Sequence, residues 1–512
     1  MVFSSIIFLF LFLPVVLGLY YLIVLLMPKL GLDQRICRRL SNLFLFFASL
    51  VFYFWGENFL VWIIIASTSI DYICALVISG GLNRREIQKL TPDDSRTPVQ
   101  RFGLVISIVS NLTFLFFFKY FNFGIDSYNQ FMNGIGLNSA VLSDVIQITL
   151  PLGISFYTFQ SMSYTIDVYR GHVRATRNFI NFACYVTLFP QLVAGPIVRY
   201  RHIASQLSER IISSEKFAYG VSRFIQGLGK KVLIANTLAV LADKVLALPA
   251  NDLTTILAWL GIVTYLLQLY YDFSGYSDMA IGLGYMFGFE FRENFNYPYY
   301  SRSIGEFWQR WHISLSSWFR DYLYYPLGGN RHSTARTYFN LLLVFVLCGL
   351  WHGANWTFIV FGLYHGFFMI LERLGVAKYL GADRPIAGHF YAMLVHTCSL
   401  VIFTAESLSD AMAYFCVMAG FAEMGDLAHI MEEYLPLDIL IAFIVGMIFA
   451  QPVRKILSRW RISIHNSLKR SGQVAFGYMF SGLRVAGLYL VLVLCFMSLA
   501  AGTHNPFIYF RF

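Results

Sequence analysis

Apolar residues run along this chain in long unbroken blocks, not in the alternation of a half-buried strand or the one-sided stripe of a soluble helix. Residues 6–27 carry no charge, and a helix needs about 20 such residues to cross a bilayer. The block is a poor secretory leader. Residues 1–5 have no basic side chain, the run is too long for a leader's apolar core, and no small-x-small cleavage site follows. A first spanning helix is expected instead. Further spans are expected over residues 43–55, 59–78, 104–118, 179–198, 253–271, 339–370, 392–403, 437–450 and 485–500. With the ambiguous segments included, the pattern predicts roughly ten to twelve crossings. Periodicity inside the blocks is weak because a helix in lipid is apolar all round. No repeat of fixed period is visible, which argues against an inverted-repeat transporter. No Pro- or Ser-rich linker divides the chain. The fold expected is an all-α polytopic membrane protein with re-entrant or interfacial helices, forming a single domain over residues 1–512.

Two regions break the pattern of simple spans. Residues 337–371 are almost wholly apolar apart from Asn340, His352, Asn355 and His365. A continuous helix there would measure about 50 Å, against a hydrocarbon core of about 30 Å. A break is expected over residues 349–353, with His352 at the discontinuity. Broken helices at membrane depth are tolerated only where they are buried in protein or line a cavity. The second region is residues 306–329. Trp308, Trp311, Leu315, Trp318, Phe319 and Tyr322 recur there at helical spacing, with Gln309, His312, Ser316 and Arg320 as a polar stripe on another face. One amphipathic helix is expected, suited to the interface or to lining a polar tunnel. Tyr-Tyr-Pro-Leu-Gly-Gly at 324–329 stops it.

Composition agrees with lipid as the solvent. Hydrophobic residues make up 57% and charged residues 13%, the latter about half the usual soluble share of roughly 25%. The net charge of +10 sits between the spans. Its clusters are Lys29, Arg35, Arg38 and Arg39; Arg84, Arg85 and Lys89; and Arg454, Lys455, Arg459, Arg461, Lys469 and Arg470. Such clusters mark cytoplasmic loops, and the first of them places the N-terminus outside. No aromatic-basic surface module accompanies the charge, so nucleic-acid binding is not expected. The seven cysteines are scattered without a C-x-x-C. That excludes the common zinc and dithiol patterns, and no metal site is expected.

The strongest local signal is Trp351-His352-Gly353-Ala354-Asn355-Trp356. Imidazole can take a proton from a hydroxyl near neutral pH and return it later. Asn355, at i+3 on the same face, could orient the ring or a substrate carbonyl, and the flanking indoles could exclude water. The alternative is a histidine that only joins packed helices, although polar groups inside a membrane are costly and usually functional. His312 is a second candidate, set against the role of an ordinary interfacial residue. His365 is expected to be structural. Asp272 and Asp278, in Tyr271-Asp272-Phe273-Ser274-Gly275-Tyr276-Ser277-Asp278, could be an acid/base pair. More simply, each is bonded to Tyr or Ser, or paired with Arg292, Arg302 or Arg310. Gly282, Gly284 and Gly288 suit close helix packing better than a nucleotide loop. No P-loop, H-E-x-x-H or G-x-S-x-G is present.

At these residues the chain resembles a known family. Leu350-Trp351-His352-Gly353-Ala354-Asn355-Trp356 is similar to the histidine signature of the membrane-bound O-acyltransferases. Leu-Gly-Ile-Ser-Phe-Tyr-Thr-Phe-Gln at 152–160, Phe-Pro-Gln-Leu-Val-Ala-Gly-Pro-Ile at 189–197, the 271–278 block, residues 307–329 and Pro-Phe-Ile-Tyr-Phe at 506–510 resemble its bacterial polysaccharide branch. The resemblance runs nearly end to end. It implies a ring-like body of helices with a central funnel and a tunnel to the cytoplasm. No tightly bound cofactor is implied; acetyl-coenzyme A or another acetyl thioester would serve as donor substrate. The acetyl group would cross the bacterial inner membrane to a periplasmic polysaccharide O-acetyltransferase, within an exopolysaccharide secretion machinery, with alginate as the nearest polymer analogy. His352 matches the family's essential histidine, and His312 the second one frequently implicated. Asn355, Trp351, Trp356, Trp308, Trp311, Gln309, Arg320, Asp272 and Ser274 are expected to line the substrate path or tunnel. Thr404 departs from the pattern, where many relatives would carry Arg, and bears on substrate detail. Alternative functions are transfer of D-alanyl or another acyl group to an envelope polymer, a transporter of acetyl or lipid-linked sugar, and a scaffold for secretion.

Overall fold

A computed structural model describes residues 2–81, 90–143, 145–380, 384–502 and 504. The basic cluster at Arg84, Arg85 and Lys89 and the block at 506–510 lie outside the described residues. Among the described residues the chain forms helices and connecting turns, with no strand. In order they are α1 (Phe8–Leu30), α2 (Gln34–Glu57), α3 (Val61–Ile78), α4 (Pro98–Gly134) and α5 (Ile154–Tyr169). Three short helices follow: α6 (Phe179–Thr187), α7 (Phe189–Leu192) and α8 (Tyr200–Ser208). The middle of the chain holds α9 (Ser214–Leu246), α10 (Thr255–Met286), α11 (Ile304–Arg310) and α12 (Ile313–Phe319). The rest comprises α13 (Thr334–His352), α14 (Trp356–Leu371) and α15 (Pro385–Thr404), then α16 (Leu408–Phe421), α17 (Leu427–Tyr434), α18 (Leu437–Phe449), α19 (Val453–Ser467) and α20 (Arg470–Ala500).

Among the described residues, nine helical stretches are long and apolar enough to cross a membrane, or ten if the pair α18 and α19, bent by 65°, counts as one span. One stretch, Gln34–Ile78, has 45 residues, which as a straight helix would measure about 68 Å. It turns at Asn58, whose φ is 48°, which divides it into α2 and α3. The chain is a multi-pass, all-α membrane protein.

One expected span splits, one is lost and one not expected appears: residues 339–370 fall on two span-length helices, α13 and α14. Residues 179–198 do not form a spanning helix. The helix stops at Thr187, Leu188 is non-helical, and α7 ends where Gln191–Val198 are buried. The segment is apolar because protein surrounds it, and Pro190 and Pro196 interrupt it. Conversely, α9 is long and apolar enough to span yet was not legible as such, because its charges hide it. Those charges are neutralised against the next helix. Lys231 Nζ lies 2.5 Å from Asp272, while Arg223 and Lys230 lie 2.7 and 2.9 Å from Asp278. Buried ions survive when paired at this range. The two aspartates are therefore fixed by bases from α9, not by Arg292, Arg302 or Arg310. Gly220 and Gly227 of α9 meet Gly282 and Gly275 of α10 backbone to backbone, the close packing that small residues permit.

The basic loops gather at one end of the bundle. Arg96 Nε donates to the Tyr169 carbonyl at 2.6 Å, Arg170 to the Asp321 carbonyl at 3.0 Å and Arg38 to the Ser208 carbonyl at 2.6 Å. Arg199 meets the Asp321 carboxylate at 2.6 Å. The opposite end carries the end of α2 at Glu57 and the α13–α14 turn.

Candidate active site

The helical hairpin α13–α14 is built for backbone contact. A Cβ on Gly349 would fall on the Phe358 carbonyl oxygen, and one on Gly362 on the Phe345 carbonyl oxygen. Gly353 is extended (φ −161°) and ends α13, with the Phe358 ring packed where a side chain would stand. Asn355 opens α14 as its N-cap, accepting from the Thr357 amide at 3.3 Å. His352 is thus the last residue of the first of two span-length helices.

The corner fixes the imidazole. His352 Nδ1 lies 2.7 Å from the Cys348 carbonyl oxygen one turn earlier. A carbonyl can only accept, so the proton sits on Nδ1 and Nε2 carries the free lone pair. Phe361 and Phe403 pack edge-on at 5.8 Å from the ring. The carbonyls that end α13 have no helical partner. Lys119 of α4 supplies one, with Nζ 2.6 Å from the Trp351 oxygen and 3.0 Å from the His352 oxygen.

Two cavities meet at this histidine. The larger, about 400 Å³, is lined by Lys119, Glu57, the 150–156 turn, Trp351 and His352. The smaller, about 30 Å³, lies between Phe307, Trp308, Trp311, Phe361, His396, Phe403 and His352. His352 is the one residue shared by both linings. Trp351 backs the junction, donating from Nε1 to the Ser155 carbonyl at 3.3 Å and packing on Phe156.

His312 stands one layer behind. Residues 306–329 are not one helix. α11 and α12 are separated at His312, whose φ is 42°, a left-handed conformation uncommon outside glycine. The break turns His312 inward, fully buried, while Gln309 and Arg320 face outward. The polar stripe expected of a single helix does not exist. His312 Nδ1 lies 3.3 Å from Asn294 Oδ1, which also accepts from the Ser314 amide and hydroxyl. Its ring is 5.8 Å from that of Trp351, which is in turn 5.1 Å from that of His352. The Trp351 indole bridges the two histidines.

The site has counterparts among known proteins. The family model described as MBOAT, membrane-bound O-acyltransferase family, matches residues 170–379. A protein of Azotobacter vinelandii named "Probable alginate O-acetylase" is 42% identical over the whole of both chains. One of the same name from Pseudomonas aeruginosa is 48% identical over 82% of this chain and 75% of its own. The peptidoglycan O-acetyltransferase of Helicobacter pylori is 31% identical over 92% of this chain and 91% of its own. The chain belongs to the membrane-bound O-acyltransferase family. It is an O-acyltransferase, and the family's chemistry calls for an acyl donor as substrate. Among the described residues no cluster of His, Cys, Asp or Glu could hold a metal ion.

In this acyltransferase the candidate residues separate sharply. His352, Trp351, Trp308 and Trp311 line one or both cavities. Asn355 does not share a face with His352, because the helix breaks between them. Its amide caps α14 and donates to the Glu406 carbonyl at 2.9 Å. Trp356 is 54% exposed and packs on Phe123, so it excludes no water from the junction. Asp272 and Ser274 are buried in α10 and line neither cavity. Arg320 is exposed and bonds Asp321 at 2.8 Å. Burial alone would raise the Asp321 carboxyl, but bonds from Arg320 and Arg199 hold it below the ordinary carboxylate range.

Three charged or imidazole-bearing lining residues were not among the sequence candidates: Lys119, Glu57 and His396. Lys119 sits immediately after the span drawn at 104–118, and His396 is a lone imidazole inside the span drawn at 392–403. Both were polar groups in or beside an apolar block, the signal that singled out His352, whereas Glu57 falls in the short gap between the spans drawn at 43–55 and 59–78.

Proposed function

We propose that this acyltransferase carries an acetyl group from a cytoplasmic thioester to the outer face of the bacterial inner membrane, for O-acetylation of an exopolysaccharide. The reading rests on one observation. His352, with Nε2 unprotonated, borders both the wide cavity and the narrow one. The acceptor hydroxyl enters the 400 Å³ cavity, and the donor approaches from the side of the narrow one, which has to widen to admit its thioester. His352 Nε2 takes the hydroxyl proton as its oxygen attacks the thioester carbonyl. The tetrahedral intermediate then collapses, the C–S bond breaks, and the thiolate leaves with the proton from the imidazolium. Trp308, Trp311 and Trp351 wall the two approaches, and His312 supports the Trp351 indole from behind. Asn355, Trp356, Gln309, Arg320, Asp272 and Ser274 hold the scaffold.

Lys and Arg resist translocation, so the basic end is cytoplasmic. The N-terminus and the wide cavity beside Glu57 are then periplasmic. Relatives named for alginate and peptidoglycan acetylation support a polysaccharide as the final acceptor, with alginate the leading substrate. A periplasmic acetyltransferase that takes the acetyl group from the wide cavity would complete the relay beside the secretion machinery. The test is the acetyl-ester content of exported polymer in a His352→Ala strain at matched membrane abundance. Loss of esters with export intact supports the reading, and wild-type ester content overturns it.

A further inference from the structure

α19 presents an apolar ridge that the bundle does not cover. Val453, Ile456, Leu457, Trp460 and Ile464 recur at i, i+3, i+4, i+7 and i+11, which sets them along one side of the helix. Arg454, Lys455, Arg459 and Arg461 fall on the other side, where Ile462 is the one apolar residue. No residue of α19 is buried, and Trp460 is 68% exposed. No Asp or Glu follows Asp438 in the sequence. The helix and its turn into α20, with Lys469 and Arg470, therefore carry only positive charge.

The ends of α19 fix where the ridge stands. α18, which leads into it, has 13 residues and measures about 20 Å, short of a hydrocarbon core of about 30 Å. A bend of 65° then turns the chain aside, and four bases keep α19 out of the hydrocarbon. Arg454 and Lys455 hold its start to the bundle, each 3.4 Å from a neutral acceptor, Gln226 Oε1 and Asn296 Oδ1. Further along, Arg461 lies over the Phe480 ring of α20 at 4.9 Å, and the His465 ring stands 6.4 Å from that of Phe476. The apolar window of α20 is only 6% buried, so lipid surrounds that span. α19 thus runs between two apolar helices of the membrane, at the level where acyl chains meet headgroups.

A basic amphipathic helix held there matches an anionic lipid surface. We propose that α19 is seated in the bilayer surface, with its apolar ridge among the acyl chains and the exposed Arg459, Lys469 and Arg470 binding the phosphates of anionic phospholipids. Its tie to the two membrane helices favours the bilayer over a soluble acidic protein, whose absence would leave Trp460 in water. The assignment involves none of the residues at the two cavities, so it stands apart from the acyl-transfer reading.

The test reconstitutes the full chain in phosphatidylcholine bilayers doped with acyl-brominated phosphatidylglycerol or acyl-brominated phosphatidylcholine. Subtracting the fluorescence of Trp460→Phe isolates the Trp460 signal. Wild type is expected to reach half-quenching at about fivefold lower content of the anionic lipid, the worth of one base at a charged surface. High salt should abolish that preference and leave quenching by phosphatidylcholine in place. Arg459→Gln with Lys469→Gln and Arg470→Gln should abolish it as well, while Arg454, Lys455 and Arg461 remain to hold the orientation. Arg459→Lys with Arg470→Lys should keep it. Should the triple variant fail to fold, the salt dependence of wild type decides alone. Equal quenching by the two lipids in wild type, or a preference untouched by salt, overturns the assignment to anionic lipid. Quenching by aqueous acrylamide and by neither brominated lipid overturns the proposal and leaves the ridge to a soluble partner.

Discussion

Lys119 donates to the carbonyl oxygen of His352 at 3.0 Å, so a buried amino group from α4 closes the helix end on which the candidate base sits. Its hydrogen bonds satisfy carbonyls that the helix end leaves unpaired. Lys119→Met should leave two carbonyls of the corner unheld and let the imidazole drift. A misplacement of about 1 Å can cost on the order of 10²-fold in rate. The expected result is a fall of that order in kcat with little change in donor KM. A variant with wild-type kcat would mean that the corner holds without it.

Asn355 gives the opposite expectation. Its amide caps α14 and bridges to Glu406, away from the imidazole. Asn355→Ala should cost about 1 kcal/mol of stability as a lost cap, visible as a lower melting temperature in detergent. Activity per folded molecule should stay within about twofold of wild type. A loss of 10²-fold at unchanged stability would return Asn355 to the chemistry.

Gly349 tests the hairpin. A methyl group there collides with the Phe358 carbonyl oxygen, which belongs to backbone and cannot rotate away. Gly349→Ala should destabilise by about 1–3 kcal/mol through overpacking and should move His352, three residues on. Reduced membrane abundance together with reduced activity is the expected pair of readouts. Normal values for both would show that the α13–α14 contact yields.

At the basic end, His202 makes stability depend on pH. Burial, then the charges of Arg292, Arg201 and Arg199, push its imidazole down to about 4, with Asp321 pulling weakly the other way. The unfolded chain, with an ordinary value near 6.5, binds more protons in that window. The contribution is therefore present above pH 6.5 and is lost as pH falls toward 4. The melting temperature of wild type should fall relative to that of His202→Gln as pH drops through this range. Parallel curves would show that His202 is not the group responsible.

Much of this was legible in the sequence, and what was missed has a common cause. Length against bilayer thickness pointed to a break within 349–353, and the helix does end at His352 with Gly353 extended, although α4 shows that 37 residues can run on unbroken. The same arithmetic could not show that Asn355 would fall beyond the break, so helical spacing was carried three residues too far. Spacing failed in the same way at His312, where a left-handed residue divides what reads as one amphipathic helix. Hydropathy overlooked α9 because it counts Arg223, Lys230 and Lys231 as exposed, whereas Asp272 and Asp278 neutralise them inside the bundle. It also drew a span over 179–198, since burial in protein and burial in lipid select the same residues. The joining of two cavities at His352 depends on helices far apart in sequence, and no local pattern carries it.

The central claim is that His352 performs the transfer. The most direct measurement is acetyl-ester content of the exported polymer, comparing wild type with His352→Ala at equal membrane abundance. Esters should disappear while polymer is still secreted. Esters persisting at the wild-type level would contradict it and leave His352 as a packing residue between two cavities.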